Sequence, residues 1–221
     1  MATISIRPSN PADVELILGF IRKLAEYEKL SHEVVATPER LRRALFGGQR
    51  YAECVIAELD SAPVGFALFF HTFSTFLAQP GIYLEDLFVV PEARQNGVGK
   101  ALLQHLAALA VERGCGRFEW AVLDWNEPAI RFYRSQGSRV LDEWRLNRVS
   151  GEALPALAAG KPIPAPEPAP AAKPAAASSS SMSLPLGSSE PPAPTPTPAN
   201  PPRPDRPNPP NQHHHKQGKR R

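Results

Sequence analysis

One segment of this 221-residue chain constrains its fold more than any other, because a strand, a glycine turn and a helix follow one another within it. An apolar, β-branched run over residues 82–90 ends at Pro91, and a polar stretch leads into Arg-x-x-Gly-x-Gly. Val98 then opens an apolar-periodic helix. First-turn N–H groups of a helix lack intrahelical partners, and the helix dipole favours negative charge there. The segment therefore predicts an anion site, with Gly97 and Gly99 permitting close backbone approach.

The spacing of this turn separates it from the two common nucleotide loops. No Gly-Lys-Ser/Thr follows, as a Walker-type loop requires, and the single Gly-x-Gly lacks the third glycine of the dinucleotide fingerprint. We interpret the anion as a pyrophosphate.

Hydrophobic periodicity along the rest of the chain predicts an α/β sandwich, with one central sheet and helices packed on it. The first helix has an N-terminal signal, with Asn10 as cap, Pro11 at the first position and Asp13 in the first turn. Strands are predicted at 4–6, 52–59, 64–71, 82–90, 118–123, 139–141 and 144–149, and helices at 11–28, 38–46, 98–113 and 126–136.

Composition divides the chain at residue 160. Of 26 prolines, 18 lie in residues 161–221, a segment of Pro, Ala and Ser that has too little apolar surface to offset its ordering entropy. Residues 1–160 carry a net charge of −2 and residues 161–221 a net charge of +5. We predict a folded domain at 1–160 and a disordered, basic, proline-rich tail at 161–221. The mildly acidic domain does not favour nucleic-acid binding.

Targeting signals and cysteine usage indicate a cytoplasmic protein. Residues 1–7 do not read as a secretory signal, and no run of 18 apolar residues occurs. Cys54 and Cys115 are too few for a disulfide scaffold. His71 and His105 have no metal-ligand partners at useful spacing, so no metal site is predicted.

A second motif lies about 30 residues after the glycine turn, where Asn126-Glu127-Pro128 opens a helix that closes on Phe-Tyr-x-x-x-Gly at Gly137. The two motifs resemble motifs A and B of the GNAT superfamily of acetyl-CoA-dependent N-acetyltransferases. The segments 24–31, 83–86 and 121–126 are similar to the diamine acetyltransferase family and its thialysine N-ε-acetyltransferase relatives, and the last leans toward the thialysine side. The likeness covers about residues 3–157.

The resemblance implies a GNAT-type mixed, mostly antiparallel sheet flanked by helices, acetyl-CoA as co-substrate and a homodimer. It also implies a role for each matching residue. Backbone groups of Leu87, Phe88 and Val89 would pair with the pantetheine arm like an added strand, and Asn126 would also bind this arm. The pyrophosphate would lie on Arg94, Gln95, Asn96, Gly97, Val98, Gly99 and Lys100. Tyr133 would protonate the thiolate, and the amine pocket would be lined by Tyr27, Glu28 and Glu85.

Acetylation of an amine requires a proton acceptor, a role that a carboxylate in the site can fill. An alkyl amine with a pKa near ~10.4 is protonated at pH 7 and must lose a proton before it attacks a thioester. Strand alternation places Glu85 and Asp86 on opposite faces, and we expect Glu85 to be the one in the site. A tyrosine on the apolar helix face of Tyr133 is by itself more typical of a core residue; the resemblance favours a general acid.

Two function classes remain open from the sequence. The first is an acetyltransferase for a small di- or polyamine, or for the side-chain amine of a lysine-like amino acid. The alternative is a non-enzymatic acetyl-CoA-binding module whose proline-rich tail engages partners. Intact Glu85, Asn126 and Tyr133 favour the enzyme.

Overall fold

The computed structural model describes residues 2–162. They fall into a compact unit that ends at Asn147 and a second unit that begins at Arg148. The strands are β1 (Ile4–Pro8), β2 (Glu53–Leu59), β3 (Ala62–Ser74), β4 (Gln79–Val89) and β5 (Arg117–Trp120), and the helices are α1 (Val14–Tyr27), α2 (Pro38–Phe46), α3 (Val98–Glu112), α4 (Glu127–Ser135) and, in the second unit, α5 (Ala153–Ala158). None of these helices combines the length and apolar character that a membrane span requires.

The five strands form one sheet in the order β1-β2-β3-β4-β5. Neighbours from β1 to β4 are antiparallel, and β5 joins β4 in parallel, from Gly81 opposite Arg117 to Leu84 opposite Trp120. The predicted mixed, mostly antiparallel sheet is confirmed. The parallel pair follows from the chain path, since α3 crosses over between β4 and β5.

The hairpin between β2 and β3 turns on two residues. Asp60 and Ser61 have φ of 49° and 66°, the backbone that a two-residue hairpin turn needs to match the strand twist. The predicted strands at 52–59 and 64–71 left Ala62 and Pro63 between them, but these residues pair with the end of β2 and begin β3.

Helices cover both faces of the sheet because alternate strand residues are apolar on both sides. Ile17 and Phe20 of α1 pack with Phe66 on one face, and Leu102 of α3 packs with Leu84 on the other. Each of these side chains is at most 3 % exposed. Burying a side chain of this size stabilises the fold by about 1.5–3 kcal/mol, so the two apolar clusters fix the layers.

The predicted strands at 139–141 and 144–149 are wrong for this structure, and within the described residues no strand follows Trp120. No strand in the described part of the chain pairs with either segment, and a strand without a ladder leaves its backbone groups to water. Trp144 and Leu146 are 71 % and 78 % exposed. Helix α5 was not predicted.

The predicted disordered tail lies, from residue 163 onward, outside the described residues. The domain boundary at residue 160 stays a prediction.

Candidate active site

A cleft opens where β4 and β5 separate. Their pairing ends at Leu84 and Trp120, while β4 continues to Val89 with β3 on its other edge. The edge of β4 at Leu87–Val89 that faces away from β3 thus has no strand partner among the described residues. A cavity of about 600 Å³ lies here, and its lining includes 14 of the 15 residues predicted for the site, the exception being Asn96.

The N-terminus of α3 presents unpaired backbone donors to this cavity. Gly97 precedes the helix with φ of 83°, a left-handed conformation that favours glycine, and no side chain within residues 2–162 caps the helix. No acidic residue lies in its first turn. The free N–H groups and the helix dipole therefore favour a bound anion at the place where the sequence predicted one.

Asn96 holds the loop rather than lining the cavity. Its Nδ2 donates to the carbonyl oxygens of Ala93 and Arg94, each at 3.3 Å. Side-chain donation to nearby backbone is a common way to fix a turn. The geometry gives the Asn96 side chain a place in the loop scaffold.

Arg94 connects the loop to the end of α1. Its Nε donates to the carbonyl oxygen of Val89 at 3.1 Å, and its guanidinium carbon lies 5.0 Å from the ring centre of Tyr27 and 5.9 Å from that of Phe88. Cation–π contacts of this length are attractive. The residue predicted for phosphate and the tyrosine predicted for the amine pocket thus touch one another.

Tyr27 and Asn126 also meet in the cavity, although 99 positions separate them in the chain. The Tyr27 hydroxyl donates to Asn126 Oδ1 at 3.1 Å, and the same oxygen accepts from the backbone N–H of Ala129 at 3.3 Å as the cap of α4. Asn126 is 6 % exposed. Its Nδ2 donates to no group within residues 2–162, so it can serve a ligand.

Tyr133 lies on α4 against aromatic neighbours. Its ring centre is 4.9 Å from that of Trp120 and 5.3 Å from that of Phe132. Burial, and secondarily the charge of Glu28, raises the pKa of Tyr133 to about 12. The hydroxyl is therefore protonated throughout the neutral range and can donate a proton or a hydrogen bond.

A β-bulge interrupts β4 at the two adjacent acids. Leu68 of β3 pairs with Asp86 and the next residue, Phe69, pairs with Leu84, so Glu85 is the extra residue. The expectation that Glu85 and Asp86 point to opposite faces is wrong. The alternation of side chains along β4 restarts after the bulge, and both acids line the cavity. Glu85 is exposed and Asp86 is partly buried.

Burial and mutual repulsion raise the pKa values of acids in this cavity. Burial, followed by the charges of Glu85 and Glu28, raises the pKa of Asp86 to about 6. Burial also raises the pKa of Glu28. Like charges that share a poorly solvated space disfavour ionisation of each other, and such groups in a cleft are typical of functional sites.

Sequence reasoning missed Asp86 and most of the apolar wall. The Glu-Asp pair is visible in the sequence, but the bulge that brings both side chains into the cavity is not. The remaining lining residues that were not predicted are Leu24, Leu84, Trp120, Ala121, Val122, Pro128, Ala129, Phe132 and Gln136.

Comparison with known proteins identifies the family. The acetyltransferase (GNAT) family model matches residues 21–137, more than half of the chain. The chain belongs to the GNAT acetyltransferase family. It is 40 % identical over 169 residues to the thialysine N-epsilon-acetyltransferase of Sus scrofa, an alignment that covers 72 % of this chain and 99 % of that protein. It is 33 % identical over 197 residues to the L-ornithine N5-acetyltransferase of Arabidopsis thaliana, covering 69 % and 86 %.

A solved structure has a similar fold. The integron cassette protein from the mobile metagenome of V. cholerae superposes with a TM-score of 0.60 at 26 % identity, covering 70 % of this chain and 97 % of that chain. The resemblance predicted from the two motifs, the GNAT fold class and the assignment as an acyltransferase enzyme are confirmed.

Proposed function

We propose that this GNAT protein moves the acetyl group of acetyl-CoA to a primary amine of a small di- or polyamine or of a lysine-like amino acid of the thialysine type. One observation carries the proposal. A single cavity is lined both by an uncapped helix N-terminus, which suits a pyrophosphate, and by the carboxylates of Glu28, Glu85 and Asp86, which suit a cationic amine.

The residues present fit acetyl-CoA. The left-handed Gly97 and the free N–H groups that follow it would hold the pyrophosphate, together with Arg94 and Lys100. The unpaired edge of β4 at Leu87–Val89 would pair with the pantetheine amides, and Asn126 Nδ2 would donate to the arm. When bound, acetyl-CoA supplies the activated acetyl group as a thioester.

The chain's own residues would manage the protons. Glu85, exposed at the cavity, would relay the proton that the amine loses, and Tyr133 would give its hydroxyl proton to the departing thiolate. Among residues 2–162, no serine, threonine or cysteine lines the cavity. This composition supports direct attack by the amine nitrogen, because the usual hydroxyl and thiol nucleophiles of a covalent route are missing from it.

The names of the relatives support the substrate class. The relatives include a thialysine acetyltransferase, an L-ornithine acetyltransferase and a spermidine/spermine acetyltransferase-like protein. Each amine in these names carries at least two amino groups. Substrates of this kind differ mainly in what lies beyond the reacting amine, and differences of about 1–3 kcal/mol in pocket contacts are enough to select among them.

A thiol-release assay with acetyl-CoA and a panel of amines tests the proposal. The panel contains thialysine, lysine, ornithine, spermidine, a short diamine and a matched monoamine. We expect turnover with at least one diamino compound and intersecting, not parallel, double-reciprocal lines. Tyr133→Phe should lower kcat about 10²–10³-fold without abolishing it. Binding of acetyl-CoA without release of thiol for any amine would contradict the proposal.

We also propose that the protein is a cytoplasmic homodimer. The exposed Trp144 and Leu146 support an interface, because neighbouring large apolar side chains on a surface often mark one. The free thiols Cys54 and Cys115 suit a reducing compartment. Light scattering should give twice the mass of one chain, and Trp144→Glu with Leu146→Glu should give a monomer. Fractionation of cells should place the protein in the cytosol.

A further inference from the structure

The bulge in β4 gives two neighbouring carboxylates different surroundings. Leu84 and Leu87 both pack in the apolar cluster that contains α3, although they are three residues apart, so one residue is extra between them. Asp86 pairs with Leu68 and lies two residues before Phe88. Leu68 and Phe88 pack on the other face of the sheet, in the apolar cluster that contains α1. The bulge therefore turns Asp86 inward under the end of α1 and leaves Glu85 at the exposed rim.

Asp86 has no hydrogen bond and no ion pair with any of the residues 2–162, whereas most partly buried carboxylates are paired. Its neighbours make the charged form costly. The titratable or charged groups that share the cavity or the adjacent strand row with Asp86 are Tyr27, Glu28, Glu85, Arg94, Lys100, Tyr133 and the Cys54 thiol. Arg94, a cation that also lines the cavity, donates to Val89 and lies over the ring of Tyr27.

We propose that Asp86 is the first acceptor of the proton that the amine must lose, and that Glu85 passes this proton on to solvent. The inference rests on the proposed function, because a proton acceptor is needed only if the cavity takes an amine. Asp86 would touch the ammonium group directly, and Glu85 would act at the water-exposed side.

The proton balance closes with these groups. The ammonium gives one proton to the Asp86 carboxylate, and Glu85 carries it to water. The neutral nitrogen then forms its bond to the acetyl carbon as the carbon–sulfur bond breaks. Tyr133 donates its hydroxyl proton to the sulfur and is reprotonated by the second proton from nitrogen. Acetylated amine, free thiol and one released proton result.

The acidity of Asp86 suits this role. With its pKa raised to about 6, Asp86 is mostly ionised at pH 7 yet is a stronger base than an ordinary aspartate. As the pH falls through about 6, a growing fraction of Asp86 is protonated and cannot accept. The wild-type kcat/KM should therefore have an acidic limb centred near pH 6, in addition to the alkaline rise of the amine itself.

The test compares Asp86→Asn and Glu85→Gln in the full chain by thiol release between about pH 5 and pH 9. Asp86→Asn should lower kcat at least about 100-fold, keep the KM for acetyl-CoA and lose the acidic limb. Glu85→Gln should lower kcat about tenfold and keep the limb. Asp86→Glu should regain the limb and part of kcat. Glu112→Gln, exposed on α3 outside the cavity, should match the wild type.

Two outcomes overturn the inference. If the wild type turns over amines and Asp86→Asn keeps kcat within about threefold with its acidic limb, only the Asp86 assignment fails, and loss of the limb in Glu85→Gln would assign the role to Glu85. If the wild type binds acetyl-CoA but acetylates no amine, the proposed function fails and this inference fails with it. Calorimetric titration with CoA verifies that each variant is folded.

Discussion

The chain passes from a strand into a helix at the start of α1 and again at the start of α3, and the two connections treat their polar groups in opposite ways. In the first, Asn10 Oδ1 accepts from the N–H of Ala12, and Asp13 accepts from the N–H of Asn10. Arg7 of β1 donates to both oxygens of Asp13, at 2.8 and 2.9 Å, and Glu58 accepts from the Nε of the same arginine. The side chains of this connection satisfy one another.

The second connection fixes its loop through Arg94 and Asn96 but leaves its helix start and its partly buried acid open. No side chain caps α3, and Asp86, three residues before the end of β4, has no partner among the described residues. The pKa values follow the same division, because Arg7 lowers the pKa of Asp13 through its hydrogen bonds and burial raises the pKa of Asp86. In these two connections, the side chains that satisfy one another stabilise the fold, and the helix start and carboxylate that are left open line the cavity.

Among substitutions that test the difference between the two connections, Asp13→Asn should change the free energy of unfolding the most. Arg7 would lose its two-pronged acceptor, and we expect the free energy of unfolding to fall by about 2 kcal/mol at pH 7. Because the folded pKa of Asp13 is depressed, its contribution is present above the unfolded value and is lost as the pH falls through the folded value. Urea unfolding at neutral and acidic pH measures this; an equal penalty at both would contradict it.

The same substitution at Asp86 should act with the opposite sign. Its pKa is raised from 3.8 to about 6, so ionisation destabilises the fold above that range and costs nothing below the unfolded value. Asp86→Asn should therefore raise the free energy of unfolding by about 1–2 kcal/mol at pH 7 and by little at pH 4. A destabilised Asp86→Asn at neutral pH would remove the contrast between the two connections.

Substitution of Gly97 should show that the uncapped helix start serves a ligand. Gly97→Val should raise the KM for acetyl-CoA at least about tenfold and change the KM for the amine far less, because a side chain blocks the backbone donors. Gly114→Val is the matched control, since it has φ of 66° and open space beyond the other end of α3. It carries similar strain. Equal KM values for the two variants would exclude a specific effect at Gly97.

A smaller effect is expected at Glu28, which would recognise the second charge of a diamine. Glu28→Gln should raise the KM for a diamine about threefold to tenfold and that for a monoamine less. Because burial raises its pKa, the difference should grow as the pH rises from 5 to 7 and shrink in added salt. Glu26→Gln, exposed on α1 outside the cavity, is the control. The same effect on both amines would remove Glu28 from substrate recognition.

The smallest effect should follow truncation after Gly160. A disordered segment makes few buried contacts, so the melting temperature should change by no more than about 1 °C and turnover of small amines should be unaffected. A drop of several degrees would show that the tail contributes to the folded domain.

Local patterns were enough to predict most of the framework. The capping signal at Asn10, the glycine turn before Val98 and the cap at Asn126 each depend on neighbours within four residues, and each lies at a helix start in the structure. The strands predicted at 139–141 and 144–149 were wrong because strand formation does not depend on local pattern alone. Their apolar pattern is local, but a strand exists only if another segment pairs with it.

The site divides in the same way. By itself the sequence determined which residue types would surround the ligand, because the glycine turn, the strand before it and the asparagine–tyrosine helix have strong local signals. Only the tertiary structure decided how they combine. It brought Tyr27 to Asn126 across 99 positions, set Arg94 over Tyr27 and placed a bulge that admits Asp86 to the cavity. Contacts between distant segments and the register of paired strands are properties of the packed chain, and no spacing along one segment encodes them.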